Sequence, residues 1–453
     1  MAQQQFASKI GLVAATVGSA VGLGTVWRFP AETQTGGGAA FLLIYVLCIL
    51  VLGIPVMLAE FALGRGGSDA IGSYKALSPH GKWHYGGLLA VIAATLIMMF
   101  YMVVGGWTLE YLLNSITGDL YGNLRLHDNA NEAFTEVMHN YVYTDFMPVV
   151  NAVLMGGINI AILLGGVQKG IERLSTITMP ILFLLLAVFC CYTLTLDGAG
   201  QGVKFFLSPD FSKITPSVVV SAMGQAFFSL SLGMGILVTY ASYFPKDTNL
   251  TRTSVTVCIS TLLVAILMGL IIFPALTSFG LSDRDVSGTT LVFVTLPEMF
   301  THMPGTQLWS IAFFALLLIA ALTSTVSLAE VPIAYIQHRY NTKRSTAVLV
   351  TLLPIAACAA ICAMSFGSLS WIHIMGQSIF SFLDSLTSYI MLPVVALITC
   401  IYIGWFAPKG LMRDQLSHGR ARHSMMVPLV IFAIRILAPA CIIIILVSNL
   451  LNT

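Results

Sequence analysis

Gly18-Ser19-Ala20-Val21-Gly22-Leu23-Gly24-Thr25-Val26-Trp27-Arg28-Phe29-Pro30 is the stretch that decides the fold. It lies within a long apolar run, and three glycines in seven residues weaken a helix there. Gly18-x-x-x-Gly22 is also the spacing of a close helix–helix contact, which is the plainer reading of that motif alone. A second glycine-punctuated stretch, Ser229-Leu230-Ser231-Leu232-Gly233-Met234-Gly235, lies near the middle of another apolar run. An unwound turn in a membrane exposes N–H and C=O groups that lipid cannot satisfy, so it must face a cavity or a ligand. The N–H groups opening a half-helix suit a carboxylate. The carbonyls ending the other half suit an ammonium group or a sodium ion. A zwitterionic amino acid presents both charges at once; a small organic cation or anion is the alternative.

Composition places both stretches in lipid. Hydrophobic residues make up 57% of the 453-residue chain and charged residues 9%, with a mean hydropathy of +0.90. Soluble domains carry roughly 25% charged residues. Eleven apolar segments follow one another at 8–35, 38–64, 84–117, 148–166, 170–197, 214–243, 253–279, 304–338, 345–366, 370–405 and 426–449. Each meets the requirement of about 20 residues per crossing or falls just short of it. The sequence therefore predicts an all-α polytopic membrane protein of eleven transmembrane helices, with residues 1–453 forming one transporter domain. The two interrupted segments are the first and the sixth. They open successive five-helix blocks, 8–197 and 214–405, with 426–449 as an extra helix. Five crossings is an odd number, so the second block enters the membrane inverted. That is the pattern of inverted repeats, with the site where the broken helices meet.

With the N-terminus in the cytoplasm, fifteen Lys and Arg lie inside and only Arg125, Lys204, Lys213 and Arg284 outside. Arg28 and Arg435 fall within spans. The positive-inside rule thus supports eleven crossings with the C-terminus outside. The first residues lack the organisation of a signal peptide, so the first span is expected to be retained. The eight cysteines all fall in or beside apolar segments, which predicts no disulfide framework. No basic patch suggests nucleic acid, and no obligate protein partner is evident. No His-Glu-x-x-His or Gly-x-Ser-x-Gly motif points to an enzyme. A channel would need a continuous polar lining, whereas the intramembrane charges are few and scattered. Glu60, Glu110 and Glu330 are expected to serve structural hydrogen bonding.

Gly18 to Pro30 resembles the first-helix motif of the neurotransmitter:sodium symporter family. Further matches run in order: Gly36 to Phe41 and Gly53-Ile54-Pro55 through Arg65 in the second helix, Lys169 to Arg173 with Met179-Pro180 in the fifth, Gly224 to Gly233 and Thr239 to Tyr243 in the sixth, and Leu322-Thr323-Ser324 in the eighth. The resemblance covers about residues 8–405 and implies a bacterial secondary transporter of the cytoplasmic membrane. Eleven helices, not twelve, is a departure at the C-terminal end.

Carried over by motif position, the resemblance implies a site. The backbone amides of Leu23 and Gly24, with the Tyr101 hydroxyl, receive a substrate carboxylate. The carbonyls of Ala20 and Phe228, beside Ser19 and Ser229 and with Ser231, hold an ammonium group, and Phe228 with Tyr101 forms a lid. Ile97, Met234, Ser324, Ser327 and Leu328 line the side-chain pocket. Pliable Met234 and small Ser327 favour a larger apolar or aromatic side chain, such as that of tryptophan, tyrosine, phenylalanine or leucine. Gly18, Val21, Ala320, Thr323 and Ser324 match one sodium site in full. A second site reads Ala20, Thr25, Ser229 and Ser260, where two family asparagines have become hydroxyls of shorter reach. Coupling through one sodium ion, or through none, is the implication. Val264 at the family's chloride or acidic position implies no chloride dependence. Arg28 resembles the outer-gate arginine, with Asp384 as its candidate partner, and Tyr243 is implied to be a gate residue. The family's cytoplasmic Arg–Asp pair reads Gln3 and His338. A sodium-independent or proton-linked carrier and a non-transporting solute sensor are the other readings.

Overall fold

A computed structural model of the protein describes residues 5–126, 129–282, 284, 288–417 and 426–452. Gln3, Arg420 and Arg422 lie outside the described residues. The spanning elements are α1 (Lys9–Ala20), α2 (Leu23–Thr35), α3 (Ala39–Gly64), α4 (His84–Thr117), α5 (Phe146–Leu164), α6 (Val167–Leu194), α7 (Pro216–Ser229), α8 (Ile236–Ser242), α9 (Leu250–Ser278), α10 (Thr306–Tyr340), α11 (Arg344–Met364), α12 (Ile379–Phe406) and α13 (Val427–Leu451). Among the described residues nine of these are single helices long and apolar enough to cross a membrane. The pair α1 and α2, bent by 48°, makes a tenth span. The shorter pair α7 and α8, parted by residues 230–235, stands at the sixth position of the sequence reading.

Helix starts follow from side chains that satisfy the orphan N–H groups of a first turn. Ser8 accepts from the Gly11 amide to open α1, Thr215 from Val218 to open α7, and Asn249 from Arg252 to open α9. Pro216 follows its cap directly, at a position where its missing N–H costs nothing.

Helices α4 and α10 run 34 and 35 residues, about 50 Å each at 1.5 Å per residue, so both project beyond the bilayer core. Two-thirds of their most apolar stretch is buried against protein, against one-third for α6 and α13. The long helices are the central scaffold and the other two face lipid. The tenth segment differs from its expectation. Residues 370–378 do not begin the helix but form a turn and a two-residue antiparallel hairpin, His373–Ile374 against Gln377–Ser378. Gly376 at φ +78° allows that reversal, and Met375 beside it is almost fully exposed.

Two of the intramembrane carboxylates, Glu110 and Glu330, are satisfied by hydrogen bonds through both oxygens, whereas Glu60 keeps one oxygen buried without a partner. Glu110 accepts from Asn114 and, at 2.7 Å, from Asn151. Glu330 accepts from Tyr243 at 2.7 Å and from both terminal nitrogens of Arg344 at 2.8 and 2.5 Å. Burying a charge is tolerable only when it is paired and hydrogen-bonded in this way.

Candidate functional site

Both breaks form where the sequence placed them. Helix α1 ends at Ala20, Val21 and Gly22 leave helical geometry, and α2 starts at Leu23. Helix α7 ends at Ser229, and three residues of the following turn take positive φ: Ser231 at 55°, Gly233 at 76° and Gly235 at 73°. Gly233 has no alternative, because a side chain there would strike the Leu392 carbonyl of α12. Its amide donates to Glu60 Oε1 at 2.7 Å, so a buried carboxylate of α3 holds the unwound turn in shape.

The two breaks touch. Ser231 Oγ donates to the Ser19 carbonyl at 2.6 Å, across 212 residues of sequence. On the other side, Tyr101 of α4 accepts the Leu23 amide at 3.0 Å. Two of the three groups matched to the substrate carboxylate are therefore neighbours. Ser229 Oγ and the Tyr45 hydroxyl of α3 lie 2.7 Å apart.

The cavity between these elements is lined by Ser19, Ala20, Gly22, Gly24, Thr25, Ile97, Tyr101, Phe228, Ser229, Ser231, Met234, Ile236, Ser324 and Leu328. Its free volume is about 20 Å³, room for roughly one water. The Phe228 ring accounts for much of this closure: it lies so close over Gly24 that a Cβ there would collide with it. Phe228 also borders a second, wider chamber of about 270 Å³, whose wall includes Arg28, Glu32, Ser221, Gly224 and Tyr389. One ring thus separates two chambers. The Arg28 guanidinium stands 5.8 Å from the centroid of that ring and 6.0 Å from that of Tyr389.

Some of the residues matched to a sodium ion lie on facing helices. A Cβ on Gly18 would sit 3.3 Å from Thr323 Cβ, which places α1 hard against α10. Thr323 Oγ1 donates to the Ile319 and Ala320 carbonyls, so its lone pairs remain to accept a cation. Ser324 Oγ and the Tyr101 hydroxyl both lie within 3.0 Å of the point where Gly22 would carry a Cβ. The Thr323 and Ser324 side chains of α10 thus stand beside the first break. Thr25 Oγ1 is buried with no hydrogen-bond partner, as a ligating atom would be.

Three residues sit elsewhere than the sequence put them. Ser327 does not line the cavity; its hydroxyl donates to the Thr323 carbonyl and accepts from Tyr240 at 2.7 Å. Ser260 lines a groove on another face of α9, between α1 and α6. Arg28 forms its ion pair with Glu32, one turn along its own helix at 3.8 Å. Asp384 instead accepts from Ser388 at 3.0 Å and has no cation within 4 Å among the described residues. Tyr243 donates to Glu330, beside Arg344. Two lining residues escaped the reading, Gly22 and Ile236. Ile236 was findable, since it is the first residue of the half-helix that follows the second break.

Comparisons with known proteins place the fold. The chain matches the sodium:neurotransmitter symporter family over residues 3–141 and 147–453. An uncharacterised sodium-dependent transporter of Bacillus subtilis, YhdH, is 37% identical over 445 residues, 98% of this chain and 97% of that protein. A sodium-dependent transporter of Haemophilus influenzae is 34% identical over 459 residues, 99% of this chain and 98% of its own. Among solved structures, MhsT in complex with L-phenylalanine matches with a TM-score of 0.88 and 40% identity, covering 99% of this chain and all of that one.

Proposed function

Because this chain belongs to the sodium:neurotransmitter symporter family, we propose that it carries a neutral hydrophobic or aromatic L-amino acid into the cell by alternating access, driven by sodium. Membership makes it a multi-pass membrane transporter; the substrate class and the coupling are our reading. The observation that carries the substrate is the pairing of the Leu23 amide with the Tyr101 hydroxyl, backed by an apolar wall of Ile97, Phe228, Met234, Ile236 and Leu328. The first two suit a carboxylate and the wall suits a large apolar side chain. The relative solved with L-phenylalanine supports the same choice.

Sodium binds in this reading at Gly18, Val21, Ala320, Thr323 and Ser324, and its charge steadies the α1–α10 contact. The second set keeps Ala20, Thr25 and Ser229 but lacks Ser260, which favours coupling to one ion. The blocks 8–197 and 214–405 act as the two rocking repeats in a bacterial cytoplasmic membrane, with the N-terminus inside. Equilibrium binding of radiolabelled phenylalanine, tryptophan and leucine, in sodium and in choline, tests the proposal. Sodium-dependent binding supports it. Equal binding in choline would replace it with an uncoupled carrier, and preference for glycine or alanine would refute the substrate class.

A further inference from the structure

Glu172 opens no site and pairs with no cationic side chain among the described residues, yet it is a buried carboxylate, 6% exposed. Its partners are all at the cytoplasmic start of α1. Oε2 accepts the Ala7 amide at 2.7 Å, and Oε1 accepts the Ser8 amide at 3.0 Å and the Ser8 hydroxyl at 2.7 Å. Ser8 in turn caps α1 through the Gly11 amide at 2.9 Å. Gly11 itself leaves the carboxylate its room, since any side chain there would overlap Glu172. The charge is therefore balanced by the N-terminal amides and dipole of a helix in a different part of the chain. If α1 moved off, Glu172 would lose three charge-assisted hydrogen bonds to protein and exchange them for water.

We propose that Glu172 is the lock that keeps the cytoplasmic half of the pathway closed, by holding the start of α1 against α6. Helix α1 is mechanically separate from α2, because the break at Val21 and Gly22 bends the pair by 48°. Its deep end, Ser19 and Ala20, forms part of the cavity wall. Tilting α1 alone therefore opens the cavity toward the cytoplasm, and the Glu172 contacts are what that tilt must break. Phe6, packed among Tyr240, Tyr243 and Phe244 and bonded through its amide to the Tyr243 carbonyl, adds a second hold on the same end. The exposed Lys9–Asp247 pair at 2.8 Å is not part of the lock, since surface ion pairs contribute little.

The inference rests on the carrier reading for its purpose, but its test needs no substrate. Hydrogen–deuterium exchange of the full-length protein in sodium is compared for wild type, Glu172→Ala, Glu172→Gln and Lys9→Gln. The lock predicts at least about tenfold faster exchange in both Glu172 variants over residues 12–20 and over 325–334 of α10, with Lys9→Gln unchanged. Acceleration confined to residues 7–11 would reduce Glu172 to a helix cap and overturn the proposal. Equal acceleration in Lys9→Gln, or none anywhere, would overturn it too. Glu172→Gln keeps the shape and one acceptor oxygen, so it decides the matter if the alanine variant fails to fold. Loss of amino-acid binding in wild type would sink the carrier reading and leave these exchange outcomes as informative as before.

Discussion

Tyr101 carries the most chemistry per atom of any residue here. Its hydroxyl holds the Leu23 amide, and the proposed carboxylate shares the same two groups. Tyr101→Phe should weaken phenylalanine binding by about 10- to 100-fold, the range expected for losing a hydrogen bond to a charged group at about 1.5–3 kcal/mol. Isothermal titration reads this directly, and an unchanged affinity would remove Tyr101 from the site. Ile236 should tune size: Ile236→Ala enlarges the wall beside Met234 and shifts preference toward tryptophan over leucine, measured by competition against labelled leucine. Most site residues were legible because motif matches fix them one by one. Ser260 was not, because no matched motif in its own helix fixes its register, and each residue of error turns a helix by about 100°. Ser327 lies beyond the Leu322-Thr323-Ser324 match, so no motif residue fixed its direction. It shares its helix with Ser324 and Leu328 but lies on the face toward Tyr240.

At the scale of elements, the breaks were visible as glycines, but what holds them open was not. Nothing in the sequence links Glu60 to Gly233 across 173 residues, yet that bond shapes the second break. Gly233→Ala should lower thermal stability, because a left-handed backbone costs a side-chain-bearing residue about 1–2 kcal/mol before the Leu392 carbonyl is counted. A melting temperature equal to wild type would show that the turn can relax. The Glu330–Arg344 pair ties α10 to α11 beside Tyr243. Arg344→Gln should cost about 3–5 kcal/mol, the usual penalty for stranding one member of a buried pair. Thermal unfolding in detergent would reveal it. The hairpin at 373–378 defeated the reading because Trp371, Ile374 and Met375 are as apolar as any span. Apolar residues at a membrane surface look the same in sequence as those within it.

For the whole molecule, hydropathy was enough to give an all-helical membrane architecture, since lipid imposes helices and allows few alternatives. Ion coupling is a property of this scale. One complete sodium set predicts that sodium stimulates phenylalanine uptake into proteoliposomes with a Hill coefficient of about 1, since that coefficient is bounded by the number of sites. A coefficient clearly above that would mean the Thr25 set is filled after all. Chloride replacement by gluconate should leave uptake unchanged.

The hydrogen bond from Ser231 to Ser19 joins the broken helices at the one place where both are thin. A fastening at that point acts as a pivot. When two bodies rotate about a pivot, what lies beside it travels least while the far ends sweep widest. A solute held next to these two serines would thus stay at nearly constant depth while the entrance moves from one face of the membrane to the other. The distance covered in transport would belong to the protein, and hardly at all to the cargo.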